Sequence, residues 1–396
     1  MTTERLYYTD SYLSRFAARV IDRADGGRRV YLDRTAFYPT SGGQPFDTGR
    51  LGGVRVVEVV DEEARVAHLL EAPLAEGPVE GEVDWGRRFD HMQQHTGQHL
   101  LSAVVADLFG YQTVSVHFGP ESATLDLEVP AITPKQVREA EARANAVVTE
   151  NRTISVRFED AATATGLRKA SDRTGVLRVV TITDLDRSAC GGTHVRATGE
   201  IGPILIRRIE RVKKLVRLEF LCGGRAVRRA RADFDALAGV ATEASTGIDD
   251  IPALFEKQRT ELKQTESARR GLEEELNGYR ARALYDAAPA NVGGSRLVVH
   301  RSAAGGVESL RGLAAAVTAL PGAVFIGTLA TPPTILFAIA ADGGPDAGAT
   351  LKPILAELGG RGGGQARQAQ GTVPGGAELE AAIARLATAV GAEPLP

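Results

Sequence analysis

Cysteine is scarce in this chain, with only Cys190 and Cys222 among 396 residues. That excludes a small secreted scaffold held together by disulfides. Both thiols are expected in the reduced form, which leaves Cys190 free to bind a metal. Long hydrophobic runs are missing as well. No stretch of roughly 18 apolar residues occurs, so no membrane-spanning helix is expected. The residues through Leu6 lack the basic-then-apolar pattern of an export signal, and a cytoplasmic location is expected. Nor is there an excess of one charge: the net is −3 at pH 7, which excludes a uniformly basic nucleic-acid coat. No internal repeat is visible. The remaining composition, 43% hydrophobic and 24% charged, is that of a soluble globular protein. Its length allows roughly two to four domains.

Histidine is also uncommon, at seven residues, yet three of them fall with one cysteine in two short motifs. The first is His95-Thr96-Gly97-Gln98-His99. Positions i and i+4 of a helix share a face, so these two imidazoles can point at one spot. The surrounding residues contain no proline and carry Leu100, Leu101, Val104, Val105 and Leu108 at helical spacing. The second motif is Cys190-Gly191-Gly192-Thr193-His194, in a glycine-containing turn after the apolar strand Val176–Ile182. Two imidazoles, a thiolate and a third imidazole suit Zn²⁺. Either motif alone is weak evidence, since buried histidines and small buried cysteines are common. His91, one turn before His95, reads as a polar residue near the helix start.

The two motifs resemble those of the alanyl-tRNA editing domain, found in alanyl-tRNA synthetase and in the free-standing AlaX proteins. Three further stretches share the resemblance. These are the glycine-rich run Thr35–Gly49, the segment Thr198–Gly202, and Gly359–Gly364 followed by Ala369-Gln370-Gly371, which is similar to the signature of the DHHA1 domain. The aminoacylation domains of the synthetase have no counterpart here, so the likeness is to the long AlaX form. It implies one zinc ion per chain, held by His95, His99, Cys190 and His194. It implies as partner and substrate a tRNA(Ala) mischarged with serine or glycine. The oligomeric state stays open, a homodimer through the C-terminal region being one arrangement.

The expected fold is α+β in four parts. A small N-terminal β-barrel with a glycine-rich loop covers 1–85. An α+β sandwich with the zinc site covers 86–225, a helical connector 226–290, and an α/β DHHA1-like tRNA-binding domain 291–396. Helices are expected from about Arg87 to Phe109, over Pro134–Thr149 with Thr133 as N-cap, and as a short piece over Ala161–Lys169. Ile204–Leu221 reads as two strands joined at Arg211–Lys214. The tail reads β, α, β, β, α, its glycine-rich stretch being either a linker or a nest of backbone N–H groups facing phosphate.

Hydrolysis of an aminoacyl ester is served by an ion that polarises the carbonyl. Four protein ligands would close a tetrahedron, as in structural sites. The reading here is three firm ligands plus water, with His194 the least certain. A site that hydrogen-bonds the serine hydroxyl can reject alanine by about 10⁴–10⁵. Thr113 and Gln44 are the candidate catalytic residues, Thr113 as the hydroxyl's partner, with Thr35 and Gln44 as rivals. Gly42 and Gly43 let the loop backbone approach substrate. A basic run with Arg208, Arg211, Lys213 and Lys214, and the tail residues Arg361, Gly363 and Arg367, are candidates for tRNA contact. Two rivals remain. One is another zinc hydrolase, although the zinc-deaminase pattern is missing. The other is a non-enzymatic RNA-binding protein with a structural zinc.

Overall fold

Alternating apolar residues punctuated by Gly26-Gly27 and Gly52-Gly53 build the start of the chain from short strands. The computed structural model describes residues 2–170, 174–291, 293–303, 305–342 and 344–392. It divides into two units, Met1–Ser245 and Thr246–Pro396, the division falling inside the segment expected as a connector. The first eight strands are β1 (Glu4–Arg5), β2 (Arg15–Ala24), β3 (Arg29–Leu32), β4 (Arg34–Thr35), β5 (Gly49–Leu51), β6 (Val54–Glu62), β7 (Arg65–Leu70) and β8 (Gly77–Val83). Six of them close on one another in the order β2-β3-β7-β6-β5-β8. Their inward residues, including Phe16, Val30, Leu32, Leu51 and Val56, form one core with Phe37 of the glycine-rich loop.

Helix α1 (Trp85–Phe109) starts where the Asp84 side chain accepts the Arg87 N–H, and stops at Gly110, whose φ is 71°. It is buried on almost every side, so its histidines lie in the interior. Then come β9 (Thr113–Phe118), β10 (Ala123–Leu127), α2 (Pro134–Glu150), β11 (Ile154–Asp160), β12 (Val176–Ile182), β13 (Asp186–Ala189), β14 (Ile204–Val212), β15 (Leu215–Cys222) and α3 (Gly223–Glu243). Thr133 caps α2 in a reciprocal box with Gln136. The strands form a four-stranded sheet, β14-β15-β10-β9, and a three-stranded one, β11-β12-β13. Leu100, Val104 and Val105 of α1 share a core with Ala140 and Ala144 of α2, Leu125, Leu218 and Val180. Each such large aliphatic side chain stabilises the fold by about 1.5–3 kcal/mol. The result is a mixed α+β layer in which α1 is central.

The helix expected over Ala161–Lys169 does not form. Only one turn forms, with Asp160 O accepting from the N–H groups of Thr163 and Ala164. Gly166 then takes a φ of 69°, and Arg168 runs beside β13, its N–H donating to Arg187 O and its Nε to Asp186. An ion pair outweighs the propensity of a short helix.

The second unit contains α4 (Ile251–Ala287), β16 (Arg296–Ser302), α5 (Val307–Thr318), β17 (Ala323–Ala330), β18 (Pro333–Ile339), α6 (Ala347–Glu357), β19 (Arg361–Gln365), β20 (Gln368–Thr372) and α7 (Gly376–Ala389). Its sheet runs β16-β17-β18-β20-β19. The glycine-rich stretch is therefore neither a linker nor a nest, but the hairpin β19–β20. Helix α6 accounts for two of these glycines, Gly362 and Gly371. A Cβ on Gly362 would stand 2.5 Å from Leu355 Cδ1, and one on Gly371 2.2 Å from the same atom. Only bare backbone lets the helix lie that close to the strands.

Candidate metal centre

Helix α1 and the turn after β13 bring four ligand atoms together. The candidate donors of His95, His99, Cys190 and His194 lie within 4.8 Å of one another. Cys190 Sγ is 3.4 Å from Nε2 of His95 and 3.4 Å from Nε2 of His194. Ligands of a tetrahedral zinc, with Zn–S near 2.3 Å and Zn–N near 2.0–2.1 Å, stand about 3.6 Å apart, so the donor set fits the ion. The His194 ring is no more remote from Cys190 than the His95 ring.

Each imidazole is held by its other nitrogen. Gln44 Oε1 lies 2.8 Å from His95 Nδ1, Asp186 Oδ2 lies 3.1 Å from His99 Nδ1, and Thr96 Oγ1 lies 3.1 Å from His194 Nδ1. A carbonyl or carboxylate oxygen can only accept, so His95 and His99 carry their protons on Nδ1 and leave Nε2 free for a metal. Asp186 is itself held by Arg168 at 2.7 Å and by Ser188 at 2.9 Å. Both cysteines are free thiols. Burial alone would raise the Cys190 pKa, but the three imidazoles hold it well below the ordinary thiol value, so it is a thiolate. Burial pulls His99 down, but the Cys190 charge and Asp186 hold it up at about 9, so near pH 7 its Nε2 also carries a proton, which a metal bound there would displace. Burial leaves His194 at about 3.

Glycines set the approach. Gly42 and Gly43 have φ values of 56° and 86°, and Ser41 and Gln44 exchange backbone hydrogen bonds across them. That two-residue turn delivers Gln44 to the site. A Cβ on Gly192 would stand 2.1 Å from His95 Cε1, and one on Gly97 2.2 Å from Cys222 Sγ. The loop is tied to α1 by a buried pair: Arg88 Nε donates to both Asp47 oxygens at 3.1 and 3.0 Å, and Tyr38 N–H donates to Asp47 at 2.6 Å.

The other sequence candidates differ in what holds them. Gln44 is a positioning residue, because both ends of its amide are engaged: Nε2 donates to Thr193 Oγ1 at 2.8 Å. Thr35 is fully buried, 2.8 Å from His68 Nε2, and its hydroxyl also accepts the Phe37 N–H at 3.1 Å, so it is not offered to substrate. Thr113 donates to Ser102 Oγ at 2.9 Å, and Gln98 Nε2 donates to the same oxygen at 2.8 Å. That chain leads from β9 to the residue beside His99. Arg208 is paired with Glu210 at 2.8 Å, while Arg211, Lys213 and Lys214 are exposed at the β14–β15 turn. In the tail, Arg361 is exposed on β19 and Gly363 has open space where a Cβ would be. Arg367 is structural: its guanidinium donates to Ala340 O at 2.6 Å and to Ala341 O. Sequence reading missed Asp186 and Thr96 as holders of ligands, and Thr193 as the holder of Gln44. Thr96 and Thr193 are adjacent to ligands and could have been suspected on that ground; Asp186 carries no local signal.

Comparison with known proteins agrees with this geometry. The family model described as the threonyl and alanyl tRNA synthetase second additional domain matches residues 177–219, which contain Cys190 and His194. The chain is 33% identical over 395 residues to the alanine–tRNA ligase of Korarchaeum cryptofilum, covering 94% of this chain and 43% of that protein. It is 31% identical over 297 residues to the alanyl-tRNA editing protein Aarsd1 of Mus musculus, covering 69% of this chain and 72% of that protein. The Rattus norvegicus protein of the same name is 35% identical over 241 residues, covering 55% of this chain and 58% of its own length. The chain thus spans less than half of the archaeal ligase but most of the mouse protein. It belongs to the alanyl-tRNA editing protein family.

Proposed function

We propose that this chain is a trans-acting hydrolase that deacylates tRNA(Ala) mischarged with serine, or with glycine, using one zinc ion held by His95, His99, Cys190 and His194. The observation that carries this reading is the triple anchoring of the imidazoles: three Nδ1 atoms on three separate partners, three Nε2 atoms beside one thiolate. A bound zinc would act as a Lewis acid on the ester carbonyl and fix the charged 3′ end.

The chain's own residues do the rest. Gln44, Asp186 and Thr96 keep the rings oriented, which a metal site needs as much as its ligands. Phe118 lies against His95 with ring centres 5.1 Å apart and planes tilted by 48°, giving that side of the centre an apolar wall. The Gln98–Ser102–Thr113 chain is our candidate for reading the serine hydroxyl, because it links Thr113 by hydrogen bonds to two polar side chains of α1, one of them adjacent in sequence to His99. Arg211, Lys213 and Lys214 are free to meet a phosphate backbone. The second unit, with Arg361 on its edge strand, serves to hold the tRNA body.

A second reading is favoured by the four-ligand set itself, since closed tetrahedra are usually structural. It predicts tRNA binding without hydrolysis. Incubation of the zinc-loaded chain with serylated, glycylated and alanylated tRNA(Ala) separates the two. Loss of the serine or glycine ester with survival of the alanine ester supports the editing reading. Survival of all three supports the structural one.

A further inference from the structure

Two long helices begin at one groove of the first unit. Gly86 and Arg87 from the first turn of α1, and Gly224 and Arg225 from the first turn of α3, line it together with His91 and Arg228. Each helix start carries about half a positive charge and unsatisfied N–H groups. Asp84 caps α1, but α3 has no side-chain cap, and the Gly224 N–H reaches only Gln93 Oε1, at 3.4 Å. Asp90 is the single acid among the lining residues, and Arg225 holds it at 2.7 Å. Arg87 donates to a carbonyl, Phe46 O, at 2.9 Å, and Arg228 is exposed. Neither of these two guanidiniums stands in an ion pair among the described residues. His91 is only 6% exposed, and its buried Nδ1 has no hydrogen-bond partner. Burial, then Arg87, Arg225 and Arg88, hold its pKa near 4, with Asp90 the opposing charge, so the ring is neutral at pH 7 and offers an N–H rather than a cation. An uncapped helix start, the exposed Arg228 with no ion-pair partner among the described residues, and an unsatisfied ring therefore line one groove, which is the environment of an anion.

We propose that this groove binds a phosphate of the RNA strand that carries the ester, with Arg228 and His91 reaching its oxygens. The anion site stands on the geometry alone, and its assignment to RNA rests on the tRNA reading above.

The test uses the full chain, an uncharged acceptor-stem RNA hairpin ending in CCA, and inorganic phosphate as a separate probe. Binding is followed by fluorescence anisotropy across a salt series, and the His91 ring by NMR. Arg228→Ala is expected to weaken hairpin binding about five- to tenfold and to lower the slope of log K against log salt by about one. Arg143→Ala, on α2, is expected to change neither. His91→Gln is expected to weaken hairpin binding at unchanged zinc content and melting temperature. Wild-type affinity and slope in both groove variants would overturn the proposal. His91 resonances that move with inorganic phosphate but not with the hairpin would overturn its assignment to RNA. Ester hydrolysis is scored separately, so failure of the groove and failure of the editing reading give different results.

Discussion

Gln44 Oε1 accepts from two directions, His95 Nδ1 at 2.8 Å and the Thr193 N–H at 3.1 Å. A single side chain from a glycine turn thereby joins the helix motif to the cysteine motif. Asp186 does the same for His99 from β13. Gln44→Leu and Asp186→Leu are therefore expected to lower zinc affinity by about 10–100-fold while leaving all four ligands in place. Competition against a chelator measures this, and wild-type affinity in both variants would refute the positioning role.

Gly97 faces Cys222 so closely that a methyl group would fall 2.2 Å from its sulfur. Gly97→Ala is expected to destabilise the first unit by about 1–3 kcal/mol through overpacking. Adding Cys222→Ala removes the clashing atom and should return part of that loss, a coupling that chemical denaturation of the single and double variants reads out. Strictly additive effects would count against the contact.

His68 is fully buried, and burial holds its pKa at about 4, below the ordinary value of 6.5. The Val30 carbonyl can only accept from its Nδ1, so Nε2 receives the Thr35 hydroxyl. The unfolded chain binds this proton more readily than the folded one. The resulting stability, on the order of 3 kcal/mol, is complete above pH 6.5 and is lost as pH falls from there through 4. Denaturation at pH 7 and pH 4.5 should show a smaller drop for His68→Leu than for the natural sequence. Equal drops would contradict this.

The Arg88–Asp47 pair is 1% and 0% exposed on its two side chains. Removing one partner leaves a buried charge alone. Arg88→Met and Asp47→Ala are each expected to cost about 3–5 kcal/mol. Because the pair fixes the loop that carries Gln44, zinc affinity should fall with stability. A loss of stability with full zinc affinity would separate the loop from the metal centre.

Much of this was legible before the fold. The i, i+4 histidines needed only helical periodicity, and the Cys190 turn needed only its glycines and the strand before it. The Thr133 cap followed from local chemistry in the same way, as did the join expected at Arg211–Lys214, which the structure narrows to Lys213 and Lys214. What stayed hidden depends on distant partners. Arg168 abandons a helix for Asp186, and Arg225 turns inward to Asp90 and Gly119 O. Gly362 and Gly371 read as part of a linker or a nest because the close approach of Leu355, which needs them bare, lies on another element. His91 read as a polar residue near the helix start, and only the fold shows it 6% exposed in a groove shared with Arg225 and Arg228 of α3.

Cobalt(II) substitution of the full chain tests the centre most directly. One ion per chain is predicted, with tetrahedral d–d bands and a thiolate-to-cobalt charge-transfer band that vanishes in Cys190→Ala and weakens in His99→Ala. No uptake, or a spectrum that Cys190→Ala leaves unchanged, would contradict a metal centre shared by α1 and the turn after β13.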